Sequence, residues 1–191
     1  RASVGVYNVS VQLGSRLSKA LPCTFLLNAE ADLGELAASA KKQIVKGEAN
    51  GLRRVAWDQW GLFSSMDANP SDWLFLPKGF SSFMRKPPCR LAVYIHDVVH
   101  EYWRQAYKGY RSPLLHEYFD LGLKASLQKA NVIFVNSEFT AGELRRFAEK
   151  NRLKKSASIV RAGIGFDHLL SAPCENERNG ILVYVSSWPH K

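Results

Sequence analysis

The chain has 191 residues, 46% of them hydrophobic and 23% charged, the balance of an ordinary globular protein with room for one α/β domain and the edge of a second. No apolar run reaches the ~18 residues needed to cross a bilayer and no signal-peptide pattern opens the chain, so a cytoplasmic protein is expected. The formal charge of +9 predicts attraction to something anionic, whereas Cys23, Cys89 and Cys174 lie too far apart to suggest a disulfide framework or a thiolate zinc site.

In chain order, apolar residues from Val4 through Val11, Leu13 and Leu17 recur at helical spacing and predict a helix from about Gly5 to Ala20, ended by Pro22. Residues 23–29 read as a short buried strand. A helix is expected over 31–47, with Asp32 near its start and Gly47 as a stop. Residues 52–58 and 72–77 read as strands, and "RLAVYIHD" (90–97) is the clearest buried strand of the chain. Ser112 followed by Pro113 marks the start of a helix over 112–130. A strand over 131–137, a helix over 137–153 capped by Ser137, and strands over 156–163 and 180–187 complete the series. Strands alternate with helices and are continuously apolar, which predicts a Rossmann-like α/β fold: a parallel sheet with helices on both faces. The chain opens without Met or a preceding strand and stops just after one, so both ends read as cut through a fold.

In such a fold chemistry belongs in the crevice beyond the carboxyl ends of the strands, where His96-Asp97, Asn136-Ser137 and Ala162-Gly163 fall. His96, Asp97, His100 and Glu101 carry the side chains of a metal site, but i and i+4 share a face only on a helix, and His96 ends a strand. "GIGFDH" (163–168) places His168 where a dinucleotide fingerprint needs its third glycine. The chain contains no D-x-D, G-x-S-x-G or phosphate-loop pattern. Basic residues gather at Lys41, Lys42 and Lys46, at Arg85, Lys86 and Arg90, and from Arg145 to Lys155. Each such run is a solvated face or a surface for an anionic leaflet, and no nucleic-acid reader motif accompanies them.

Four segments in register, "AVYIHDVV" (92–99), "LQKANVIFVNSEFTAGELRRF" (127–147), "ASIVRAGIGFDHL" (157–169) and "GILVYVSSWPHK" (180–191), resemble successive landmarks of the group 1 retaining glycosyltransferases. "SVGVY" (3–7) resembles that family's glycine loop after its first strand. Ser186 and Gly165 depart from the family's pattern. The resemblance implies a GT-B enzyme of two Rossmann-like domains. Residues 1–175 would be the N-terminal, acceptor-side domain, its first strand preceding Arg1, and 176–191 the start of the donor-binding domain. It further implies His96 at the reacting centre and Gly5, Val6, His190 and Lys191 at the donor diphosphate. Asp97, Tyr102, Trp103, Ser137 and Glu138 would lie on the acceptor side.

The substrates implied are a nucleotide sugar and a glycan or lipid-linked acceptor, with no metal or other cofactor and no nucleic acid. The remaining partners are the C-terminal domain of the same enzyme and an anionic membrane touched at the inner face of the cell. A non-catalytic basic binding module with a flavodoxin-like sheet stays open beside this reading.

Overall fold

The computed structural model describes residues 4–27, 40–45, 51–77, 79–98, 100–101, 112–154 and 156–162. Helix α1 (Val4–Ala20) leads to β1 (Thr24–Leu27), β2 (Lys41–Ile44) and α2 (Gly51–Ala56), which continues through a π-helical turn, Trp57–Gly61, into α3 (Leu62–Ser64). Then come β3 (Trp73–Leu76), β4 (Arg90–Ile95), α4 (Pro113–Lys129), β5 (Val132–Val135), α5 (Glu138–Lys150) and β6 (Ser158–Arg161). Strands β3-β4-β5-β6 form a parallel sheet in that order, and β1 pairs with β2 in a second parallel sheet. The result is the expected Rossmann-like α/β fold, a parallel sheet flanked by helices. The strand expected over 180–187 and the second-domain start at 176–191 lie outside the described residues.

Parallel neighbours need a crossover, and α4 and α5 supply two of them, β4 to β5 and β5 to β6. Ala92 lies opposite Val132, and Val132 opposite Ser158, so the strands step in register across the sheet. Leu91, Val93 and Ile95 alternate onto one face with Ile133 and Val135, and meet Leu123 and Leu127 of α4 and Leu144 and Phe147 of α5 in one buried core. Each helix starts where its serine predicts. Ser112 Oγ accepts from Leu115 N–H ahead of Pro113, and Ser137 Oγ accepts from Thr140 N–H at 3.2 Å. Among the described residues no helix is long and apolar enough to cross a membrane.

Two expected elements differ. Residues 41–44, expected as the end of a helix, are a strand whose Lys41 and Lys42 pair with Thr24 and Phe25 of β1. The β-branched pair Ile44 and Val45 follows, with Val45 buried, and pairing with β1 overrides the helical propensity of the lysines. Residues 31–39 and 46–47 of that expected helix lie outside the described residues. The strand expected over 52–58 is helical instead. Its inward positions are Val55, Gln59 and Phe63, a spacing of four, and Arg54 pairs with Asp58 at 2.8 Å across one turn.

The π-helical turn places Gln59 against the connection between β3 and β4, which carries no helix among its described residues and so needs partners for its backbone. Gln59 is buried and its Oε1 accepts from the N–H of Phe83 at 2.9 Å and of Met84 at 3.2 Å. Lys129 Nζ, at the end of α4, donates to the carbonyls of Ser82, Phe83 and Arg85 at 2.9, 3.0 and 3.0 Å. Burial pushes that ammonium below its ordinary pKa. Ser126 Oγ accepts from Ser81 N–H at 2.8 Å and donates to the Gly122 carbonyl. Gly122 lies so close to this connection that a Cβ there would stand 2.8 Å from Phe80 Cβ.

Gln59→Leu removes the acceptor of two amides without opening a cavity, so unfolding free energy is expected to fall by about 2 kcal/mol or more in urea titration. Leu52→Ala, at a position 88% exposed, should change it by less than about 0.5 kcal/mol. Equal effects for the two variants would show that the clamp does not hold the connection.

Candidate functional site

Strand alternation puts Ala92 and Tyr94 on the face opposite the core, and His96 continues that side: its ring lies 4.5 Å from the Tyr94 ring, tilted by 34°. Phe75 and Phe134 meet edge to face at 6.2 Å from the two strands flanking β4, where Phe75 lies opposite Ala92 and Phe134 opposite Tyr94. Burial raises the pKa of the Tyr94 phenol, which keeps it neutral beside His96.

His96 Nε2 lies 3.0 Å from the Pro77 carbonyl, just past the end of β3. A carbonyl only accepts, so Nε2 carries the hydrogen, and in the neutral ring Nδ1 is the acceptor nitrogen. The backbone of His96 is held from the other side. Thr140 Oγ1, buried in the first turn of α5, lies 3.5 Å from the His96 carbonyl, 3.2 Å from Asn136 Oδ1 and 3.0 Å from Ser137 Oγ. The carboxyl ends of β3, β4 and β5 are thus joined through one imidazole and one hydroxyl.

The four polar side chains from His96 to Glu101 diverge. Asp97 is exposed. His100 is turned into the protein, its Nε2 3.5 Å from Asp120 Oδ1 and its ring packed on Phe80 and Phe119 at 5.9 and 5.5 Å. Glu101 is buried and pairs with Lys150 Nζ at 2.6 Å. Among the described residues no three His, Cys, Asp or Glu side chains are grouped to hold a metal ion.

The remaining expected site residues divide as follows. Gly5 and Val6 lie in the first turn of α1. Ser137 stands at the crevice with its hydroxyl engaged as the cap of α5, and Glu138 beside it pairs with Arg145 at 2.8 Å, which holds its carboxyl below the usual range. Tyr102, Trp103, His190 and Lys191 lie outside the described residues. Much of the basic run on α5 is paired within the helix or to the crevice segment, since Arg145 meets Glu138, Arg146 meets Glu143 and Lys150 meets Glu101.

Three contributors escape a reading of local sequence. The Pro77 carbonyl has no side-chain signal, Asp120 sits mid-helix among apolar residues, and Lys150 looks like one more solvated lysine. Thr140 was open to detection, because it stands three residues after a serine cap, where the cap's acceptor meets the backbone.

Ser137→Ala is expected to cost about 1 kcal/mol of stability, the usual value of a lost N-cap, and Ser137→Asp to restore it. Thermal and urea unfolding measure both. A neutral Ser137→Ala would mean that the hydroxyl is not needed as a cap.

No family model, no curated protein and no solved structure matches the chain.

Proposed function

We propose that the chain forms the acceptor-side, Rossmann-like half of a retaining, metal-independent glycosyltransferase. It would move a sugar from a nucleotide-sugar donor to a glycan or lipid-linked acceptor at the cytoplasmic face of a membrane. The observation that carries this reading is the setting of His96. An imidazole at the carboxyl end of a central parallel strand, with Nε2 spent on Pro77 and Nδ1 defined as an acceptor, is a fixed polar contact in the place where open α/β sheets bind ligands. Such a nitrogen suits a hydroxyl of the donor sugar near the bond that breaks.

Breaking the anomeric C–O bond leaves negative charge on the departing diphosphate, and interactions that strengthen as that charge develops speed the reaction. In this reading the backbone at Gly5 and Val6 and the basic pair Lys191 and His190 meet the diphosphate. Asp97, Tyr102 and Trp103 meet the acceptor, with Ser137 and Glu138 at its edge. Aromatic rings suit sugar faces, and an exposed carboxylate at Asp97 suits sugar hydroxyls. The excess of positive charge would favour peripheral contact with anionic lipid, a long-range attraction that salt screens.

In full-length protein supplied with donor and acceptor, His96→Ala is expected to lower the release of nucleoside diphosphate by about 100-fold or more, the scale of losing one preorganised polar contact to a transition state. Folding should survive, since His96 is only half-buried. Undiminished turnover in that variant would remove His96 from the chemistry.

A further inference from the structure

We infer that the outward face of the helix over residues 51–64, together with the part of the β3–β4 connection packed on its end, is the surface that lies on an anionic lipid leaflet; this rests on the membrane contact in the reading above and names the residues that make it. Leu52, Ala56, Trp60 and Ser64 recur at every fourth residue along α2, the π-helical turn and α3, and all four are exposed, while Val55, Gln59 and Phe63 turn inward. Leu52 is 88% exposed and Trp60 44%. The connection extends the same surface. Met84 N–H donates to Oε1 of Gln59, the residue before Trp60, and the Arg85 guanidinium donates to Ser64 Oγ at the end of the stripe. Met84 is 57% exposed, and Arg85 and Lys86 follow it into solvent.

A large apolar side chain alone on a surface is ordinary, but three gathered on one face mark a place of association. The charge beside them indicates the partner. Arg53 and Arg54 on the helix and Arg85 and Lys86 on the connection set four cations along the stripe. The acid of the helix, Asp58, is held by Arg54 at 2.8 Å. On an anionic leaflet the lipid phosphates meet the cations and the apolar side chains enter the acyl boundary. The Trp60 indole, an apolar body with one N–H, suits the level between. Nucleic acid would answer the charge but give Leu52 and Met84 nothing apolar to enter. The outside of a helix is also convex, a shape that meets a plane of lipid more readily than it encloses a small ligand.

The test is co-sedimentation of the full-length protein with vesicles of phosphatidylcholine, alone or mixed with phosphatidylglycerol, at low and physiological salt. Wild type is expected on the mixed vesicles only, more weakly as salt rises. Leu52→Ala with Trp60→Ala should weaken that binding about tenfold or more, the scale of two apolar side chains withheld from lipid. Leu52→Glu alone, at the most exposed position, should also weaken it and leaves Trp60 untouched. Arg85→Gln with Lys86→Gln should lose about fivefold for each charge. Arg152→Gln with Lys154→Gln removes as much charge beyond α5, beside the opposite edge strand β6, and should change binding by less than about twofold. Circular dichroism melting is expected to match wild type for each variant. Wild type that ignores the mixed vesicles would overturn the inference, as would patch variants that melt normally and bind undiminished. Equal losses in the Arg152 and Lys154 variant would leave bulk charge as the cause and overturn it too. Sugar transfer to a soluble acceptor by a protein that ignores vesicles would sink this surface and keep the glycosyltransferase reading, whereas vesicle binding through this face without any sugar transfer would do the reverse.

Discussion

The hydrogen bond from His96 Nε2 to the Pro77 carbonyl ties the end of β4 to the end of β3. It can form because the two strands are parallel and adjacent, which brings their carboxyl ends to one edge. It also fixes a tautomer: with a carbonyl on Nε2, the ring has one acceptor nitrogen to offer. On the sheet side the ring rests on Tyr94, a phenol that burial keeps neutral.

The same edge shows why the connection between β3 and β4 is held so firmly. It bears Pro77 at its start, and a loose connection would loosen the acceptor of the His96 bond. Gln59, Ser126 and Lys129 take up its buried amides and carbonyls from three directions, and the close approach of Gly122 to Phe80 lets the connection lie directly on α4. The π-helical turn earns its place by turning Gln59 toward these amides, in keeping with the tendency of such turns to sit near functional regions.

Much of this was legible in the residues. The apolar, β-branched strands announced a parallel sheet, Ser112-Pro113 and Ser137 announced the two helix starts, and "YIHD" announced the strand end that carries the candidate site. What was not legible depends on distant pairing. Lys41 and Lys42 form a strand because β1 lies alongside, and nothing local says so. Residues 52–58 mix helix formers with aromatic residues, and only the inward spacing of Val55, Gln59 and Phe63 separates helix from strand. His100 and Glu101 read in the sequence only as two more ligand-type side chains after the strand end, whereas both are drawn inward, where Asp120 and Lys150, 20 and 49 residues further on, meet them. Long-range contacts of this kind leave no local pattern.

In the proposed function the carboxyl edge around His96 receives a nucleotide sugar. Titrating uridine, guanosine and adenosine diphosphate sugars into the isotope-labelled full-length protein tests it most directly, with backbone and imidazole NMR signals followed together. Saturable shifts for one nucleotide class, centred on the His96 ring and on the amides of Asp97, Ser137 and Thr140, are expected. Saturable binding that leaves the His96 ring unmoved, or no binding by any of these donors, would contradict it.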